Sequence, residues 1–270
     1  MSRWPHTPLI RNRRHGTTPG LVHAPGRAGE SPWWPRIEER VLSASHRYRP
    51  RDGLEIVTWN SGRPNSILSV RGHRLGTLEA SLDRFGIPYT VLGGSVGDRW
   101  TNRMKLELTL DHLRRSAAEL ILGADSADVL LVDDPGRIVD AFAGQPARVL
   151  FNAEKNPWPR QLADVASFER QVAPAPFRHL NSGLWIGYRE ALIEAFGHAL
   201  AAAGSSEVPG SDQACWKQVY RERYPAIQVD ARCRCFQTLN LVRREIVVDG
   251  ERWPLFAWAR PRSQTGPREG

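Results

Sequence analysis

Lysine and cysteine are both scarce in this 270-residue chain, and no stretch stays apolar for long. Cys215, Cys233 and Cys235 are too few and wrongly spaced for a disulfide framework or a four-cysteine zinc site, so buried thiols are expected. A signal peptide needs a continuous apolar core and a membrane span a much longer one; neither is found, so no membrane span and a cytoplasmic protein are expected. Self-similar segments at a fixed period, which would mark a solenoid, are also missing. The net charge of +8 suggests nucleic acid, but residues 1–51 hold ten arginines against three glutamates, leaving +1 for the rest. The body has no basic stripe, which excludes nucleic acid as the expected partner.

What is present begins with contrast. Residues 1–51 are rich in Arg, Pro, Gly and His without a sustained apolar period, the composition of a disordered basic leader. From Leu54 the pattern alternates. Leu54 to Trp59 reads as a strand, and Leu75, Leu78, Leu82 and Phe85 recur at helical spacing until Gly86 stops them. Tyr89 to Leu92 is a second strand, Arg103 to Arg115 a second helix, and Glu119 to Ala124 a third strand. Further on, a helix is expected over 137–142, strands over 148–151 and 184–188, and helices over 190–203 and 212–221. Such alternation implies an α/β domain with a Rossmann-like sheet flanked by helices, here a single domain over residues 52–250 before an irregular tail at 251–270.

The chemistry concentrates where the third strand ends. Asp125 and Asp128 follow an apolar run, at the place where open α/β sheets collect ligands. Hard oxygen donors suit Mn²⁺ or Mg²⁺, which bind through one or two carboxylates and the phosphates of a substrate. An isolated Asp-x-x-Asp is equally a solvated turn. Lys105, early in a helix, either reaches a phosphate or lies in solvent. Thr58 and Trp59 end the first strand, and Trp59 is either a stacking surface or core. Asn181, Ser182 and Gly183 form a turn with an amide, a hydroxyl and a backbone open to close approach. Asp212 opens a helix, either as a cap or as a carboxylate for acceptor binding or proton acceptance.

Five segments occur in one order: Asp-Ser-Ala-Asp-Val at 125–129, Phe-Asn-Ala-Glu-Lys-Asn-Pro-Trp-Pro at 151–159, Leu-Asn-Ser-Gly-Leu-Trp-Ile-Gly at 180–187, Ser-Asp-Gln at 211–213 and Phe-Gln-Thr-Leu-Asn at 236–240. Together, over Leu54 to Asp249, they resemble the glycosyltransferase domain of the procollagen lysyl hydroxylase/glycosyltransferase (PLOD-like) family, of GT-A type. The resemblance implies transfer of galactose or glucose from UDP-galactose or UDP-glucose to a protein or glycan hydroxyl, hydroxylysine being one such acceptor. It implies a metal held by Asp125 and Asp128, with Asp125 also near the ribose. Thr58, Trp59, Lys105, Asn181, Ser182, Gly183 and Gln213 then serve the nucleotide-sugar, while Glu154, Trp158 and Asp212 serve transfer. The thinner acidic run before Gln213 is a departure from the family.

A larger departure lies near the end. The family follows its last strand with Pro-x-x-x-His-Gly-x-Gly-Pro, whose histidine completes the metal site, whereas this chain has Pro254-Leu-Phe-Ala-Trp258 and no histidine after His198. An indole nitrogen only donates, so Trp258 cannot ligate. Read one base later, codons for Ala257 to Arg260 permit His-Gly-x-Gly, so a frameshift near Ala257 is expected. Two alternatives to an active transferase stay open: an impaired UDP-sugar binding protein, and a sugar-nucleotide nucleotidyltransferase, for which Asn60-Ser-Gly-Arg-Pro is a poor phosphate loop.

Overall fold

Aliphatic runs bounded by glycine and polar turns form the strands of one central sheet. The protein is described from a computed structural model, which covers residues 9–29, 34–61, 76–204, 206, 208–242, 245–248 and 251–252. Along the chain come β1 (Ile10–Asn12), β2 (Leu21–His23), α1 (Trp34–Leu42), β3 (Leu54–Trp59), α2 (Thr77–Phe85), β4 (Thr90–Leu92), α3 (Asn102–Arg115), β5 (Leu120–Asp125) and β6 (Val129–Leu131). Then follow α4 (Pro135–Ala143), β7 (Val149–Glu154), α5 (Ala163–Val172), β8 (His179–Tyr188), α6 (Arg189–Ala203), α7 (Asp212–Arg223), β9 (Ile227–Val229), β10 (Phe236–Thr238), β11 (Ile246–Val248) and β12 (Glu251–Arg252).

The six-stranded sheet has the order β4-β3-β5-β8-β7-β9. Strand β3 is parallel to β4 and β5, β8 is antiparallel to β5 and β7, and β7 is parallel to β9, so the sheet is mixed. Its inner strands β5, β8 and β7 are buried on both faces, which explains their apolar runs, whereas the edge strand β4 is partly exposed. Helices α3, α6 and α7 pack on one another. Local chemistry sets the helix ends. The Thr101 hydroxyl accepts from Met104 N at the start of α3, Asp134 does the same for Gly136 N before Pro135 in α4, and Gly86 ends α2 at φ 73°, a conformation open to glycine at no steric cost.

The first 51 residues differ from expectation. Strand β2 lies between β10 and β6, β1 pairs with β11, and α1 packs against α2. Ile10, Leu21, Val22, Trp34, Ile37 and Val41 are each at most 1% exposed. The segment from residue 9 is therefore part of the core and not a disordered leader. Three-residue strands show no periodicity, and their few apolar side chains are diluted by arginine, so composition alone misread them. Residues 253–270, where the frameshift was expected, lie outside the described residues.

Candidate active site

Sheet geometry brings the chemistry to one edge. The carboxyl ends of β3, β5 and β7 and the first residues of β8 meet there around a cavity of about 1120 Å³, a volume suited to a nucleotide-sugar. Asp125 ends β5, and the turn into β6 places Asp128 beside it. The third partner arrives from β2: His23 Nε2 is 3.3 Å from Asp128 Oδ1, and ligand atoms of His23, Asp125 and Asp128 all lie within 4.8 Å of one another. Burial alone would lower the His23 pKa, but Asp128, by charge and hydrogen bond, and the charges of Asp125 and Glu154 raise it. Desolvation raises the Asp125 pKa against the opposing effect of Lys105. Two carboxylates and one imidazole thus converge beside the Lys105 ammonium.

The space among them is kept by a missing side chain. A Cβ on Gly183 would lie 2.3 Å from His23 Cε1 and 2.8 Å from Asp125 Oδ2. The donor set fits a divalent metal: one nitrogen and two carboxylates suit Mn²⁺ better than Mg²⁺, which prefers oxygen throughout. Asn152 Nδ2 stands 3.3 Å from His23 Nδ1, and the ring turns Nε2 toward Asp128.

Lys105 is nearly buried, with Nζ 2.5 Å from Asp125 Oδ1 and 3.5 Å from Asp212 Oδ2. Burial would lower its pKa, but Asp125 and Asp212 raise it and keep it charged. Of its two sequence alternatives, solvent exposure is thereby ruled out. Trp59 takes a supporting place: its Nε1 donates to Thr109 Oγ1 at 2.8 Å, and Lys105 Nζ lies 4.4 Å over its ring. The ring is 6% exposed and is packed core at the cavity floor. Thr58 does not line the cavity, because adjacent strand residues face opposite ways. Its hydroxyl is buried without a hydrogen-bond partner among the described residues, so the expected contact with the donor is not available to this side chain.

A polar network forms the far wall. Gln213 Nε2 donates to Glu154 Oε1 at 3.0 Å and to the Trp158 carbonyl at 2.9 Å, while Ser182 N donates to Gln213 Oε1. Asn181 Nδ2 also donates to Glu154 Oε1. Burial nevertheless raises the Glu154 pKa. Ser211, not Asp212, caps α7 through Ala214 N, leaving the Asp212 carboxylate beside Lys105. Trp158 stands at the rim, 52% exposed, where its indole can wall a ligand. Asn60, Ser61, Trp100 and Asn102 also line the cavity.

With this geometry in view, the model of the PLOD GT domain matches residues 73–255, most of the chain. The chain belongs to this family. It is a glycosyltransferase. Among curated relatives, procollagen-lysine,2-oxoglutarate 5-dioxygenase 1 of Mus musculus is 28% identical over 49% of this chain and 18% of its own length. The multifunctional procollagen lysine hydroxylase and glycosyltransferase LH3 of Homo sapiens is 26% identical over 60% of this chain and 21% of its own. The chain thus spans about a fifth of these relatives. A solved apo structure of the bifunctional glycosytransferase WbbM aligns over 65% of this chain and 38% of that one, with 11% identity and a TM-score of 0.39. Among the described residues, no helix is long and apolar enough to cross a membrane.

His23, which the structure sets beside Asp125 and Asp128, is a residue that sequence reasoning missed. It stood in a stretch set aside as a leader, far in sequence from every other motif.

Proposed function

We propose that this protein transfers galactose or glucose from a UDP-sugar to a hydroxyl on a protein or glycan, in a reaction that depends on a divalent metal. The observation that carries this reading is the convergence of His23, Asp125 and Asp128 beside Lys105 in a cavity large enough for the donor. These three residues would hold Mn²⁺, or Mg²⁺ less well, and the ion would supply positive charge to a leaving diphosphate. The ammonium of Lys105, set on Trp59, is placed to meet phosphate oxygens on the same side.

Asn181, Ser182 and Gly183 offer hydrogen bonds and close backbone approach to the donor sugar. Gln213 and Asn181 hold Glu154 in position, and Trp158 closes the acceptor side by apolar contact. Asp212 is the carboxylate available to orient or deprotonate the acceptor hydroxyl once Lys105 turns to phosphate. Hydroxylysine in collagen-like chains is a fitting acceptor because the curated relatives act on procollagen lysine, as their names state. The three free, buried thiols fit a reducing compartment such as the cytoplasm. An impaired binding protein loses its main motive, since that reading rested on a lacking histidine.

Calorimetry with UDP, with and without Mn²⁺, tests the assignment. UDP binding should tighten with the metal in the native protein and lose that synergy in Asp128→Ala. Indifference to both would make the carboxylates structural.

A further inference from the structure

We propose, on the basis of the sugar-transfer reading above, that Asn240 is a specificity-determining residue of the cavity that reads hydroxyls of the transferred hexose, and that Lys155 is the positioning residue that holds it there.

The turn that carries Asn240 is strained. Asn240 and Leu241 are its central residues, and Leu241 has φ 56°. Left-handed backbone suits glycine and is tolerated by asparagine, whereas a leucine there crowds its own Cβ against the chain. Leu241 gains no burial in return, since it is 49% exposed. Exchanging the two residue types would relieve the turn. The unfavourable order persists because position 240, and not 241, lines the cavity.

The turn is also held from both sides. Before it, Thr238 Oγ1 donates to the Ala153 carbonyl at 2.8 Å and Leu239 N to the His23 carbonyl at 2.7 Å. After it, Val242 is packed in the main core. Lys155 closes the arrangement: its Nζ donates to the Leu241 carbonyl at 3.1 Å and to Glu245 Oε1, and lies 5.1 Å over the Phe177 ring. Glu154 and Asn156, on either side of Lys155 in the chain, line the cavity, while Lys155 itself is turned to the strained residue.

The chemistry of the side chain points to its ligand. The Asn240 amide is partly exposed to the cavity and has no hydrogen-bond partner among the described residues. It offers donors and an acceptor, all uncharged. A diphosphate is met by charge, from Lys105 and the proposed metal, whereas a neutral hexose presents hydroxyls that each donate and accept and so pair with an amide. The two ties attach the residues before Asn240 to His23 and to the strand end that carries Glu154, so the amide enters the cavity on the side of the proposed metal cluster and transfer residues, where the hexose has to lie.

Calorimetry on the full-length protein with saturating Mn²⁺ compares UDP, which lacks the hexose, with UDP-galactose and UDP-glucose. Asn240→Ala should weaken the better-bound sugar nucleotide about tenfold, the cost of a lost polar pair in a closed site, and leave UDP within about twofold. Asn240→Asp, of the same shape but without the donor, should behave likewise. Lys155→Met should weaken the same ligand, and adding Leu241→Gly, which relieves the turn, should restore it. If Asn240→Ala bound the sugar nucleotide as the native protein does, or weakened UDP equally, the role of Asn240 would be overturned and the metal-dependent reading would stand. No restoration by Leu241→Gly would overturn the role of Lys155. Were UDP binding by the native protein indifferent to Mn²⁺, the sugar-transfer reading would fall and the assignment of Asn240 with it.

Discussion

Lys105 and Asp125 share one hydrogen bond, Nζ to Oδ1 at 2.5 Å, while the other oxygen of the same carboxylate turns toward His23 across Gly183. One side chain thus faces the Lys105 ammonium on one side and the proposed metal position on the other. Lys105→Met should therefore separate two effects. The more negative cavity should bind Mn²⁺ alone as well as before or more tightly, and UDP should bind about tenfold more weakly for want of the phosphate contact. Titration of each ligand separately checks this; equal weakening of both would mean that Lys105 only holds the wall together.

Gly183→Ala tests the cradle. The strand backbone accepts alanine, but the added Cβ would displace His23 or Asp125. Metal affinity should fall about tenfold or more, with a loss of about 1–3 kcal/mol in stability from overpacking. Native affinity in this variant would show that neither side chain stands where the structure puts it.

A buried ion pair lies behind the site. Glu169 accepts from His179 Nδ1 at 2.6 Å, from Leu180 N at 2.8 Å and from Lys217 Nζ, joining α5, the start of β8 and α7. Burial would raise the Glu169 pKa, but His179 and Lys217 hold it below the ordinary value. Its stabilisation is thus full above the unfolded carboxyl pKa of about 4.3 and is lost as pH falls through the lower folded value. Glu169→Gln leaves Lys217 buried without its counter-charge and should cost about 3 kcal/mol at pH 7. Urea unfolding measures that cost, and its decrease on acidification to below pH 4 checks the sign.

Much of this was legible beforehand. The helices from Asn102 and Arg189 and strand β5 are long or strongly patterned, and the structure places their ends within a residue or two of those expected. Strand β8 begins at His179 and not at Leu184, because His179, Leu180 and Asn181 pair with β7, and Ser182 and Gly183, which read as part of a turn, continue the strand through a register shift in that pairing. Helix α5 escaped notice because its apolar face is short. Asp125, Asp128, Glu154 and Gln213 were found because each sits in a motif, whereas His23 depends on a pairing with β10 that no local pattern announces.

The N-terminal segment gives a prediction opposite to that for a leader. Ile37 is 1% exposed on α1, and truncating it leaves a cavity in the main core. Ile37→Ala should destabilise by about 3 kcal/mol in urea unfolding. A loss under about 0.5 kcal/mol would mean that α1 does not pack as described.

Pairing β1 with β11 and β2 with β10 also sets an order in time. As the chain leaves the ribosome, Ile10, Leu21 and Val22 emerge more than 200 residues before their sheet partners at 246–248 and 236–238. Contacts so distant in sequence form late, and surface awaiting them is open to wrong partners meanwhile. Asp125 and Asp128 emerge well before β10, and of its two partner strands β2 can then pair only with β6. The cluster built on His23 is thus finished only once β10 has emerged, and a chain stalled before Phe236 carries His23, Asp125 and Asp128 without the strand that locks them together.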